Sequence, residues 1–129
     1  MTVVVAYLPT PAGEAAFAAG LVESERRNEP LLVVNSPRTG APVSNTLADE
    51  PTLARLRQSA ADHQVNLDLR LEGHTDDLVD LLLATADEVD ASVIVIGLRH
   101  RTAVGKLLMG SNAQRILLQT KRPVLAVKA

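Results

Sequence analysis

Residues 97–111 carry the chemistry this chain is equipped for: Gly97-Leu98-Arg99-His100-Arg101-Thr102-Ala103-Val104-Gly105-Lys106-Leu107-Leu108-Met109-Gly110-Ser111. The segment leaves an apolar run at 92–96 and enters an apolar-periodic one at 112–120. A basic, glycine-punctuated loop between a buried strand and a helix start is a phosphate-binding arrangement. Glycine lets the backbone approach an anion closely, and free N–H groups at a helix start donate to it. Arg99, Arg101 and Lys106, with Arg115 just beyond, add positive charge beside that loop. A plainer reading stands next to this one. Gly97 and Gly110 also suit a strand exit and a tight helix entry, Ser111 is an N-cap type in either case, and the cations suit a solvated face.

Other chemistries are poorly spelled. Residues 100–107 have the spacing of a P-loop, but His100 replaces the first glycine and Leu107 the Ser or Thr that would hold Mg²⁺. Residues 8–13 contain one glycine, which disfavours a dinucleotide-binding turn. The absence of cysteine excludes disulfides, thiol catalysis and Cys-based metal sites. His63, His74 and His100 lack metal-ligand spacing, and no serine sits in a nucleophile-elbow context. Asp76 and Asp77 suit a helix dipole better than acid–base catalysis. Residues 91–129 hold no Asp or Glu, so any Mg²⁺ there would rest on ligand phosphates, water and Ser111. The expectation is therefore a binding module and not an enzyme, with no catalytic residue and no protein metal site. One Phe, one Tyr, no Trp and a net charge of −2 argue against a nucleic-acid surface. No apolar run approaches the roughly 20 residues of a membrane span, and the N-terminal run is short and lacks a basic leader. A soluble, cytoplasmic protein is expected.

The elements that must position the loop read as follows. Residues 2–7 are β-branched and apolar, the pattern of a strand buried on both faces. Ala15, Ala18, Ala19 and Val22 recur at helical spacing in a segment running to about Arg27, and residues 31–34 form a second apolar strand. Residues 37–48 read as a loop. Asp49-Glu50-Pro51 starts a helix with Leu53, Leu56, Ala60 and Gln64 on one side. Residues 65–71 alternate apolar and polar, which places that strand at a sheet edge. Thr75-Asp76-Asp77 precedes a helix with Leu78, Leu81, Leu82 and Thr85 on one face. Residues 92–96 form the most apolar strand, expected to be central. A last helix presents Ala113, Ile116, Leu117 and Thr120, and residues 123–127 form the final strand. Alternation of this kind predicts a single α/β domain over residues 1–129, an open parallel sheet with helices on both faces. Ligands of such sheets bind at the carboxyl ends of the strands, at the switch point. If the first and fourth strands are neighbours, the glycine loop lies over that crevice.

Gly97, Gly110 and Ser111 fall in register with the Gly-x-x-Gly, nine further residues, Gly-Ser or Gly-Thr pattern of the universal stress protein family, and the chain resembles that family. Residues 112–117 (Asn-Ala-Gln-Arg-Ile-Leu) and 122–127 (Arg-Pro-Val-Leu-Ala-Val) are similar to its last helix and strand. The resemblance implies a five-stranded sheet in order 3-2-1-4-5, of the adenine nucleotide alpha hydrolase-like type. It also implies binding of an adenine nucleotide, ATP with or without Mg²⁺, in a stress-response sensing role. Gly97, Gly110 and Ser111 would line the phosphates, with Arg99, His100 and Asn112 beside them. Val34 would offer its backbone to the base, and Leu8 stands where nucleotide-binding members carry an Asp. His100 stands at the family's second glycine. A branch of the family binds no nucleotide; the alternative is a regulatory homodimer of that kind. The final strand at a sheet edge invites pairing with a second copy through Val124, Leu125, Ala126 and Val127.

Overall fold

The computed structural model describes residues 1–35, 49–71, 77–98 and 111–129, except the side chain of Ser111. The order is β1 (Thr2–Tyr7), α1 (Pro11–Arg27), β2 (Leu31–Asn35), α2 (Glu50–Asp62), β3 (Leu67–Leu71), α3 (Leu78–Glu88), β4 (Ala91–Leu98), α4 (Ser111–Gln119) and β5 (Val124–Lys128). The five strands form one sheet in the order β3-β2-β1-β4-β5, and every pairing is parallel. The expected topology is thus observed, with β3 and β5 at the edges and β4 inside.

Two cores cover the sheet. Val3, Val5, Tyr7, Leu31 and Val33 pack with Phe17 and Leu21 of α1 and with Leu53 and Leu56 of α2. Val4, Leu32, Val34, Ile94 and Ile96 face the other way, onto Val79 and Leu82 of α3 and Ile116 of α4. Alternate residues of β1 serve opposite cores, so both of its faces are apolar, as its composition required.

Three sequence expectations shift. The buried stripe of α1 is Gly13, Ala16, Phe17, Gly20, Leu21 and Ser24, not Ala15, Ala18, Ala19 and Val22; Val22 is exposed. Alanine is too small to fix a face by itself, and burying Phe17 and Leu21 turns the helix. In α3 the buried residues are Val79, Leu82, Thr85 and Ala86, so the face is rotated away from Leu78 and Leu81. β3 starts at Leu67, because Val65 closes the end of α2: its N–H donates to the Ala60 carbonyl (2.8 Å) and Gln64 lies past the helix at φ 57°.

The helix starts at Asp49 and Asp77 are capped as read, and a third cap, at Thr10, is added by the structure. Thr10 accepts from the Gly13 N–H, Asp49 from Thr52, and Asp77 from both Val79 and Asp80.

Candidate functional site

β1 lies between β2 and β4, so the chain runs from β1 to β2 on one side and reaches β4 on the other. That reversal opens a crevice at the carboxyl ends of β1 and β4. Tyr7 and Leu8 end one wall, and Gly97 and Leu98 end the other.

Gly97 is not the start of a loop. It is a residue of β4, in register with Val127 of β5. A Cβ placed on it would lie 1.9 Å from the Ala12 carbonyl oxygen and 2.5 Å from its carbon. The first turn of α1 therefore rests directly on the β4 backbone, and this close approach is a sufficient reason for glycine there. Gly13 meets the Leu8 carbonyl oxygen in the same way, at 1.8 Å. Together the two glycines let α1 enter flush against the strand ends that wall the crevice.

Beside it stands a cluster that sequence reading missed. Tyr7 is only 2% exposed, and its hydroxyl donates to Oε1 of Glu14 at 2.5 Å. The Arg55 guanidinium of α2 reaches the same carboxylate oxygen at 2.5 Å and the Tyr7 hydroxyl at 3.5 Å. Burial pushes the Tyr7 phenol above its ordinary value, and the Glu14 carboxylate pushes it further. The hydroxyl therefore stays protonated at neutral pH and ties α1 and α2 to the end of β1. Buried Asn35, at the end of β2, donates from Nδ2 to the Tyr7 carbonyl at 2.9 Å. A polar residue closing the run Leu-Leu-Val-Val-Asn was the available signal for Asn35. Nothing local marks the Tyr7 cluster, whose members lie up to 48 residues apart.

Among the other expected site residues, Val34 is buried in β2 with its side chain in the core shared with α3 and α4. Leu8 is half-buried, and its carbonyl accepts from the Thr10 N–H at 2.8 Å. Asn112 is exposed in the first turn of α4. Arg99, His100 and Gly110, like Arg101, Lys106, His74, Asp76 and loop 37–48, lie outside the described residues.

Arg115 is a correction. It is committed to the start of α3, with Nη1 3.0 Å from Oδ1 of Asp77, Nη2 3.0 Å from Oδ2, and Nη2 3.5 Å from Oδ1 of Asp80. This two-pronged pairing removes Arg115 from the cations available to a ligand. It also holds the Asp77 carboxyl below its ordinary value, helped by the Asp80 N–H.

The helix starts differ in charge. The first turns of α1, α2 and α3 carry Glu14, Glu50 and Asp80, whereas that of α4 carries no acid. Three helix starts thus carry an acid that complements the helix dipole, and the start of α4, the next described element after β4, carries none in its first turn. Among the described residues no group of His, Asp or Glu is arranged to hold a metal ion, and no helix is long and apolar enough to cross a membrane.

The fold is that of an open parallel α/β protein whose strand order reverses between β1 and β4. The family model for the universal stress protein family matches residues 1–128, and the chain belongs to that family. A universal stress protein of Mycolicibacterium smegmatis is 41% identical over 126 residues, covering 98% of this chain and 96% of the relative. The solved universal stress protein from Archaeoglobus fulgidus superposes with a TM-score of 0.79 at 27% identity, covering 98% and 97% of the two chains. A structure of the universal stress protein from the same organism in complex with dAMP has a TM-score of 0.69 at 26% identity, covering 98% and 96%.

Proposed function

We propose that this chain is a cytoplasmic adenine-nucleotide-binding module of the stress response, taking ATP in the crevice between β1 and β4. The observation that carries the reading is the start of α4, the next described element after β4, which opens on Ser111-Asn112 with no acid in its first turn. In this reading the phosphates sit on the backbone at Gly97, Gly110 and Ser111. Arg99, His100 and Asn112 stand beside them, and the Val34 backbone and Leu8 stand by the base. The dAMP complex of a universal stress protein with the same fold supports adenine as the base. Any Mg²⁺ would be held by phosphate oxygens, water and Ser111, since residues 91–129 offer no carboxylate. The same lack of a base supports binding without efficient turnover.

The test is mass spectrometry of nucleotide released from freshly purified protein, with a thermal titration against ATP and Mg²⁺. A ligand of the native state stabilises it by about 2.7 kcal/mol at one hundred times its dissociation constant. Copurified adenine nucleotide, or a saturable shift lost in Gly110→Leu, is the expected result. No ligand and no shift at millimolar ATP overturns the reading.

A second reading, a regulatory homodimer, is favoured by β5. That strand lies at the sheet edge beside β4, with Ala126 exposed and Val124, Leu125 and Val127 half-buried. An edge of this kind offers unpaired backbone groups to a second copy.

A further inference from the structure

The helix α4 is held in place by few apolar contacts. It has nine residues, and an isolated helix shorter than about 12–15 residues is marginal in water. Among its described side chains only Ile116 is buried, with Ala113 partly buried in the same core. Leu117 and Leu118 are exposed. Apolar burial is non-directional. One buried side chain fixes the distance of a helix from its core and leaves its rotation weakly determined.

Arg115 supplies the missing direction. α4 packs chiefly on α3, and the Arg115 guanidinium reaches both carboxylate oxygens of Asp77 at 3.0 Å. A planar fork on a planar carboxylate fixes angle as well as distance. The anchor is itself held: Asp77 is the N-cap of α3, and its Oδ1 accepts from the Val79 and Asp80 N–H groups at 3.0 and 3.2 Å. The clasp thus joins α4 to the backbone at the start of α3. Arg115 follows position 111 by four residues, so it lies one turn beyond the helix start, on the same side of the helix. The two side chains are 37% and 33% exposed, and ion pairs so open to solvent add little to stability. What the two-pronged geometry does supply is orientation.

We propose that Arg115 is a positioning residue for nucleotide binding: clasped to Asp77, it sets the rotation of α4 and so aims the first-turn N–H groups at the phosphates. The proposal rests on the phosphate reading of α4 given above. Arg115 itself touches no ligand in this arrangement, because its terminal nitrogens are engaged by Asp77 and Asp80.

The test is calorimetric titration of the intact protein with ATP and Mg²⁺, well below the Tm, in the parent, Arg115→Gln, Asp77→Asn and the double variant. Both substitutions preserve local structure, since Gln is a good helix former and Asn caps a helix as well as Asp does. Each single variant should bind about ten-fold more weakly, the equivalent of one misdirected charge-assisted hydrogen bond. The double variant should bind no more weakly than the weaker single variant, because one clasp is broken in all three. The sign of the Asp77 effect separates positioning from simple charge. If Arg115 acted on phosphate through its charge alone, removing the acid would tighten binding while removing the arginine weakened it. The proposal is overturned if Asp77→Asn binds as tightly as the parent or more tightly, if Arg115→Gln leaves affinity unchanged, or if the losses add in the double variant. A lowered Tm with unchanged affinity is one such result, and marks a merely structural pair. A parent that binds no ATP overturns the phosphate reading and this proposal with it, a result distinct from a binding parent whose variants bind equally well.

Discussion

Gly97→Ala distinguishes packing from ligand contact at the residue where both demand glycine. The added Cβ would lie 1.9 Å from the Ala12 carbonyl oxygen, and ordinary contact begins at 3.4 Å. One backbone must therefore retreat by about 1.5 Å. Neither retreats freely: β4 is held between β1 and β5, and the first turn of α1 is held by its Thr10 cap. Overpacking of a well-filled site costs about 1–3 kcal/mol, and a backbone obstacle places this case near the upper value. A chain of 129 residues has a melting entropy of about 0.27 kcal/mol/K, so Tm should fall by about 10 °C. Gly20→Ala sets the scale. Its Cβ meets a side-chain methyl of Val5 at 2.4 Å, and the helix gains about 1 kcal/mol of propensity in partial compensation. The assay is urea denaturation of nucleotide-free protein, with both variants and the parent compared at equal m-value. A loss for Gly97→Ala below about 0.5 kcal/mol refutes the close approach, because a surface-like response is what an unobstructed site gives. The glycine would then have to be explained by a ligand alone.

Three further outcomes are expected. Tyr7→Phe removes a hydroxyl from the Glu14–Arg55 cluster and should cost about 1 kcal/mol at neutral pH, a modest value because Glu14 is 37% exposed. The raised phenol contributes stability that is present below its ordinary value of 10.0 and lost above it, so denaturation midpoints of parent and variant should converge above about pH 10; parallel curves would refute this. Asp77→Ala removes the α3 cap and the anchor of Arg115, so Tm should fall at neutral pH. The Asp77 carboxyl is held below its ordinary 3.8, so its contribution is present above that pH and lost as pH falls through the lowered value; an acid-melting profile unchanged in the variant would contradict it. Leu125→Pro removes a backbone donor from β5 and should lower the mass of a β5-paired dimer toward the monomer in light scattering, whereas a parent already monomeric at micromolar concentration removes that reading.

How much was legible in the sequence depended on whether the determining contact was local. β1 and the helix caps at Asp49 and Asp77 follow from neighbouring residues, and the strand order follows from alternation with a recognised family pattern. The face of α3 did not, because Leu78, Val79, Leu81, Leu82 and Leu83 surround the helix and leave its rotation to Asp77, Arg115 and the sheet. Gly97 was visible as a glycine, but its partner Ala12 is 85 positions away, so a strand residue read as a loop start. Arg115 looked available for the same reason: the carboxylates that hold it belong to another helix.

The charge pattern of the helices connects both ends of the sheet. In a parallel α/β fold every helix starts at the carboxyl edge and finishes at the amino edge, so the dipoles make one edge positive and the other negative. This chain cancels the positive edge at α1, α2 and α3 with Glu14, Glu50 and Asp80, and does not cancel it at α4. At the opposite edge the last turns of α2 and α3 carry no basic residue, and those of α1 are engaged by Glu23. The starts and the ends are therefore treated differently: three of the four described helix starts carry an acid in the first turn, whereas only the end of α1 carries basic residues in the last, so the start of α4 stands out among the starts and no single end stands out among the others.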